Sequence, residues 1–388
     1  MNAVSIPQTQ AEQDAAWADL ETPCFLFDPR TVAEDLEGLR RELGTPVVVS
    51  VKANPVLDVL VRCNQDFGDG IEIASMGELN LTIGRMSVPR FINTPALDAG
   101  LIAAGLACKA TLVVDNPHQL ALVERALQTH AAQGKPVPGI VLRINAASLL
   151  GHGGAEADHF GMDVPTLRQE VARLSAAASV VKVIGLHVFA GSHSFARNAE
   201  ALPDRLCELV AELRGQPAAQ LELALIGAGL QGDWRARGID FAAYRRRLRD
   251  LQGMVRVMHE AGRAVFARAG TFAVRVLALK ELDGKPVVIC DGGIAHCFAL
   301  AQTEQFVKQW RAPRLVRTGA APAGEDGPVR TYTVIGNSCN RADVIGRLES
   351  ASVPAPGDIL QFADCGAYHT YSPTTFLNLR PARRYIAS

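Results

Sequence analysis

Lys52 closes the apolar run PVVVSV (46–51) and is followed by Ala-Asn-Pro. Burying an ammonium beside such a run costs solvation and lowers its pKa. An amine depressed in this way is the nucleophile that Schiff-base chemistry needs. A lysine that merely snorkels to solvent would carry no chemistry, and position alone leaves both readings open. Other apolar runs end in further functional groups. GIVLRI (139–144) brings Arg143, and VVKVIGLHVF (180–189) brings His187 and Phe189, then Gly191-Ser192. LELALIG (221–227) ends in Gly227-Ala228-Gly229, and AVFARAG (264–270) ends in Arg268-Ala269-Gly270-Thr271. Glycine turns let backbone N–H groups approach a phosphate. One such turn is ordinary loop, whereas two of them together with a lysine form a more specific set. His152, His159, His187 and His193 lack the thiolates or carboxylates of a metal site, so no metal is expected. GHGGAEADHFG reads instead as a flexible loop at an active site.

These groups need elements to hold them. Eight short β-rich runs alternate with helical patterns: PVVVSV, GIEIA, RFIN, TLVVD, GIVLRI, VVKVIGLHVF, LELALIG and AVFARAG. The segments between them, such as VPTLRQEVARLSAAA and YRRRLRDLQGMVRVMHEAG, carry apolar residues at i, i+3, i+4 spacing. Strand–helix alternation implies parallel strands with helical crossovers. Eight such units fit a (β/α)8 barrel, whose active site lies at the C-terminal ends of its strands. An open doubly wound sheet is the rival. Past about residue 275 the rhythm changes to strands such as KPVVICDGG, RTYTVIG and DILQFADCGAY. The reading is therefore a flexible leader over 1–21, a barrel over 40–275, and a mostly β domain from 22–39 and 276–388.

The 388 residues hold 39 basic and 40 acidic side chains, a balance that gives no footing to nucleic acid or an anionic membrane. No apolar run is long enough to span a bilayer. The 8 cysteines are scattered without a CxxC pair, which fits reduced thiols in a cytoplasmic protein.

The ordered pieces TPCFLFD, VSVKANP, DGIEIASMGEL, HFGMD, GLHVFAGSH, IGAGL, DGG (291–293), GNSCNRAD and DCGAYHTYSPTTFLN resemble the fold-type III pyridoxal-phosphate decarboxylases. These are the relatives of diaminopimelate, ornithine and arginine decarboxylases, which share their barrel with alanine racemase. The resemblance runs from about Thr22 to Tyr385. It implies pyridoxal 5'-phosphate as cofactor, with Lys52 as its Schiff-base lysine. It implies phosphate-binding roles for Ser192, Gly229, Gly270 and Tyr368, with Arg143, Gly227 and Thr271 as further expected cofactor-binding residues. It also implies a head-to-tail homodimer in which Cys339 of one chain enters the site of the other and protonates the substrate carbon. His187 and Asn340 would face the substrate.

The departures point further. The decarboxylases place the Glu of an EPGR stretch against the pyridine nitrogen, and Arg268-Ala269-Gly270-Thr271 is the expected counterpart here. An arginine can only donate, so Arg268 at the ring would be racemase-like. HVFAGS replaces HxHxGS, leaving Phe189 to stack on the ring. Asn340 lacks the charge that pairs with a basic substrate. The resemblance therefore implies decarboxylation of an amino acid with a neutral, acylated or carrier-linked distal end, as in siderophore or other secondary metabolism. An amino-acid racemase or epimerase, or a non-catalytic cofactor-binding relative, are the alternatives.

Overall fold

The computed structural model describes residues 2–5, 10–151, 158–177, 179–301, 312–318, 327–371 and 376–388. The chain forms two compact units, one of residues 33–57 and 63–265, the other of residues 1–32, 58–62 and 266–388.

The first unit is a closed barrel of eight parallel strands. We label them β1 (Val47–Ser50), β2 (Ile71–Ile73), β3 (Arg90–Asn93), β4 (Thr111–Val114), β5 (Ile140–Ile144), β6 (Val183–Phe189), β7 (Ala219–Gly227) and β8 (Arg256–Ala261). They follow one another in sequence order around the barrel, and β8 closes it on β1 through Glu260↔Val48. Val48, Phe91, Val113, Val141, Leu225 and Met258 form one buried cluster inside it. β-branched and aromatic residues suit this pleated, doubly buried setting. Helix starts are fixed by side-chain caps: Ser75, Asp98, Asn116, Asn145, Asp163 and Asp240 each accept a backbone N–H two or three residues into their helix.

Seven of the eight strands lie where the apolar runs place them; the eighth does not. AVFARAG folds as a short helix, Arg263–Phe266, and a 3-10 turn, Ala267–Ala269. The eighth strand is instead RVMHEA, the tail of a segment whose pattern reads as helix. Leu251, Val255 and Met258 continue helical spacing across the break, which masks it. The helix Phe241–Met254 in fact ends one residue before the strand, at an extended Val255 (φ −140°, ψ 158°).

On β8, His259 is fully buried between two hydroxyls, with Nδ1 2.6 Å from Thr45 Oγ1 and Nε2 2.7 Å from Tyr244 Oη. Burial pushes its pKa down from 6.5 to about 3. The unfolded chain therefore binds a proton in that window that the folded chain does not. Stability from this group is whole above the ordinary histidine range and falls with pH, by at most about 1.4 kcal/mol per unit. His259→Gln is expected to flatten the loss of denaturation midpoint between neutral and mildly acid pH. A variant that keeps the parent slope would refute this origin for it.

The second unit carries a mixed sheet. Its strands run in the order Asn2–Val4, Arg383–Ala387, Cys24–Phe27, Gly270–Leu282, Lys285–Cys290, Arg330–Ile335 and Val344–Ser350, with Ile359–Phe362 and Arg314–Val316 paired beside them. Trp17, Leu20, Cys24, Leu26, Ala273, Val316, Ile359 and Tyr385 form its core. The expected leader is thus part of the sheet unit over its described residues. Asn2–Val4 pair with Tyr385–Ala387, Trp17 and Leu20 are buried, and Arg275 Nη2 donates to the carbonyls of Ala18 and Leu20. Two apolar side chains in a mostly polar segment are enough to dock it.

Candidate active site

Lys52 sits in a 3-10 turn, Val51–Ala53, directly after β1. Its Nζ lies 2.5 Å from both carboxylate oxygens of Glu72, at the middle of the neighbouring strand β2. The Glu72 side chain is 1% exposed and that of Lys52 is 42% exposed. A buried carboxylate thus holds the amine of a side chain that is itself partly exposed, so Lys52 is anchored at the strand end rather than snorkelling freely to solvent.

Four further strands add polar groups at the same end. Arg143 of β5 pairs with Asp115, just past β4, at 3.3 Å, and its guanidinium lies 4.5 Å from the centre of the Phe160 ring. Asn93 of β3 bridges two members: its Oδ1 accepts from Arg143 at 3.4 Å, and its Nδ2 lies 3.1 Å from His187 Nε2. His187 of β6 is 2.9 Å from Glu260 Oε2 of β8. Burial pushes the Glu260 pKa up, but His187, Lys52 and Arg143 together outweigh it and the net shift is downward. Glu260 is therefore held as a carboxylate. Its other oxygen, Oε1, is buried with no hydrogen-bond partner in the structure. A buried acceptor left unpaired is costly, so this atom marks the place of a donor from outside the chain. A protonated pyridine nitrogen fits that demand, and the residues present therefore suit pyridoxal phosphate.

This geometry corrects the reading at the end of the eighth strand. Glu260-Ala261-Gly262-Arg263 occupies the place of the EPGR stretch, with alanine for proline. Arg268 lies instead on the 3-10 turn in the other unit and is exposed. Gly270 and Thr271 open a long sheet strand, paired with Phe27 and Leu26, and a Cβ on Gly270 would overlap Gly366. Their backbones serve the sheet. His187, expected to face the substrate, is fully buried and engaged with Glu260.

The turns after β6, β7 and β8 make the other half of the site. Gly229 (φ +62°) packs so closely that a Cβ would stand 2.7 Å from the Gly191 carbonyl and from Ser194 Oγ. Ser194 Oγ donates to that same carbonyl at 2.7 Å. Phe189 covers Gly227, where any Cβ would overlap its ring. Ala228 N–H donates to the Glu260 carbonyl, tying the β7 turn to β8. Burial, then Arg263 and Arg237, lower the His193 pKa, so cationic charge gathers beside the exposed Ser192. Gly262 and Arg263, directly after β8, stand at the strand end where Gly270 and Thr271 were expected.

Cys339, Asn340 and Tyr368 belong to the other unit. Cys339 and Asn340 are exposed on the turn between strands Arg330–Ile335 and Val344–Ser350. Buried Asp343 shapes that turn: its carboxylate accepts from Ile294 N–H at 2.6 Å and from Ser338 N–H and Oγ at 3.0 and 2.5 Å. Asn340 Oδ1 accepts from Ala342 N–H at 2.9 Å. Tyr368 takes a left-handed conformation (φ 64°). Of the GHGGAEADHFG loop, residues 152–157 lie outside the described residues.

A family model described as "Pyridoxal-dependent decarboxylase, C-terminal sheet domain" matches residues 24–366. The chain is 24% identical to the L-glutamyl-(BtrI acyl-carrier protein) decarboxylase of Niallia circulans, over 95% of this chain and 89% of that protein. It is also 24% identical to the diaminopimelate decarboxylase of Bacteroides thetaiotaomicron, over 90% and 91%. Among solved structures, the lysine/ornithine decarboxylase of Vibrio vulnificus complexed with cadaverine superposes with a TM-score of 0.81 at 19% identity, covering all of both chains.

Proposed function

The chain belongs to the pyridoxal-dependent decarboxylase family, and from that premise we propose that its substrate is an amino acid, or an amino-acid conjugate, with a neutral or acylated distal end. The protein is a pyridoxal-phosphate-dependent amino-acid decarboxylase. When bound, the cofactor supplies the electron sink for the bond that breaks as CO2 leaves.

The chain's own residues divide the remaining work. Lys52 would hold the cofactor through its amine, and Glu72 keeps that amine in place. Glu260 Oε1 would accept from the ring nitrogen, and His187, 2.9 Å from Oε2, orients the carboxylate. Arg143, fixed by Asp115 and Asn93, buttresses the floor of the site. Phe189 offers an apolar ring face. Ser192, the turn around Gly227 and Gly229, and Gly262-Arg263 would take the phosphate. Cys339, contributed by a second copy of the chain in a homodimer, gives the proton to the substrate carbon. With Glu260 where Arg268 was expected, the racemase and non-catalytic readings lose the residue that favoured them.

The observation that carries the substrate reading is the tip Cys339-Asn340-Arg341. It puts an amide and a cation, both exposed, where relatives of the basic-amino-acid type carry an acid. A like charge repels a terminal ammonium, whereas an arginine suits a carboxylate or phosphate. The relative named for a glutamyl-carrier substrate supports a carrier-linked or otherwise conjugated substrate, and a place in secondary metabolism.

The test is a panel of free, acylated, citryl-linked and carrier-linked amino acids, given to the holoenzyme in D2O. Conjugates are expected to release CO2 with one deuterium at Cα, and to exceed lysine and ornithine by at least about tenfold in kcat/KM. Faster turnover of the free diamino acids would overturn the substrate class. In the same assay Cys339→Ala should slow product formation or scramble the deuterium configuration; an unchanged rate and product would remove Cys339 from the reaction.

A further inference from the structure

We propose that Cys297, Cys365 and His369 form a metal site of the zinc class in the sheet unit. The sequence hides it, because Cys297 stands far from the other two. In the fold, one ligand atom from each lies within 4.8 Å of the others, and it is the one such group among the described residues. Cys297 and Cys365 are 0% exposed and His369 is 4% exposed.

The three residues are held by their own backbones. Cys365 N–H donates to the Gly270 carbonyl at 2.8 Å, and Cys297 N–H donates to the Gly293 carbonyl at 3.0 Å. His369 Nδ1 is 2.6 Å from the Ala367 carbonyl. A carbonyl only accepts, so Nδ1 carries the proton and Nε2 carries the lone pair. This is the outer hydrogen bond that fixes the tautomer of a ligating histidine.

The charges also fit. Two thiolates and a neutral imidazole cancel a divalent cation, so the loaded site buries no net charge, whereas an unpaired buried charge would be costly. Sulfur ligands exclude magnesium and calcium and suit zinc. Zn–S near 2.3 Å and Zn–N near 2.0–2.1 Å put tetrahedral ligands roughly 3.5–3.8 Å apart, so a pair at the outer limit closes by about 1 Å. Loading exchanges two thiol protons for the metal and leaves both sulfurs reduced. The bound ion would join the segment after strand Lys285–Cys290 to the turn that carries Tyr368 in its left-handed conformation.

The full-length protein, made without a metal-binding tag in zinc-supplemented medium, is desalted and its metal measured by elemental mass spectrometry. About one zinc per chain is expected. Cys297→Ser and Cys365→Ser should each lose it, and Cys108→Ser should keep it. The parent protein, stripped and given Co2+, should show the near-ultraviolet thiolate-to-cobalt band. If the serine variants do not fold, this band and chelator-dependent thiol labelling of the parent still decide. Zinc below about 0.1 per chain with no cobalt band in folded protein would overturn the site, as would a Cys297–Cys365 disulfide found by mass spectrometry.

Discussion

Glu260→Gln is expected to lower decarboxylation by on the order of 10²- to 10³-fold while the cofactor stays attached to Lys52. Glutamine can still accept from the ring nitrogen, but it brings no charge to keep that nitrogen protonated. His187 also loses its anionic partner, since Nε2 and the Glu260 carboxylate stand 2.9 Å apart. The visible spectrum of the bound cofactor should shift, which separates this effect from simple loss of fold. Arg268→Ala is the contrast. Arg268 is exposed on the 3-10 turn beyond the barrel, so its removal should change kcat by no more than about twofold. If the arginine variant failed and the glutamine variant worked, the assignment of the eighth strand end would be wrong.

Lys52→Ala should abolish both the visible absorbance of protein-bound pyridoxal phosphate and turnover. It should also cost stability, because Glu72 would keep a buried carboxylate without its cation. A broken buried pair costs several kcal/mol; with the lysine side chain 42% exposed, about 1–3 kcal/mol is the fitting scale. The double variant Lys52→Ala/Glu72→Gln should recover most of that stability and none of the activity. Turnover retained in Lys52→Ala would end the claim that this lysine holds the cofactor. A double variant no more stable than the single one would leave the Lys52–Glu72 pair without energetic weight.

The barrel was legible because seven runs of β-branched residues punctuate amphipathic helices, and such runs have few other ways to be buried. The eighth strand was not. Leu251, Val255 and Met258 keep helical spacing across a one-residue break, while the alanine-rich segment 264–270 mimics an apolar strand. That single slip moved the residue proposed for the ring nitrogen from Glu260 to Arg268, and the turn proposed for the phosphate from Gly262-Arg263 to Gly270-Thr271. The signal that finds it is local: His259-Glu260-Ala261-Gly262-Arg263 differs from the expected motif by one alanine. The placement of Lys52, Arg143, Phe189 and Gly229 at the strand ends was legible because each ends or follows a correctly placed run. Glu72, Asn93 and Asp115 were not singled out, because a polar residue at a strand end declares its partner only when the barrel closes. The metal-ligand trio was hidden for the same reason, with Cys297 brought to Cys365 and His369 by folding alone.

The barrel end sets three carboxylates, Glu72, Asp115 and Glu260, against the amine of Lys52, the guanidinium of Arg143 and the ring of His187. One carboxylate oxygen, Glu260 Oε1, is left there without a hydrogen-bond partner. A guest ring that arrives protonated can donate to it, while an anionic ring of the same shape would add a fourth negative charge beside the Glu260 carboxylate. The floor of the barrel thus sorts aromatic guests by sign before the phosphate turns are engaged, and discrimination among ring systems becomes a property of the empty protein.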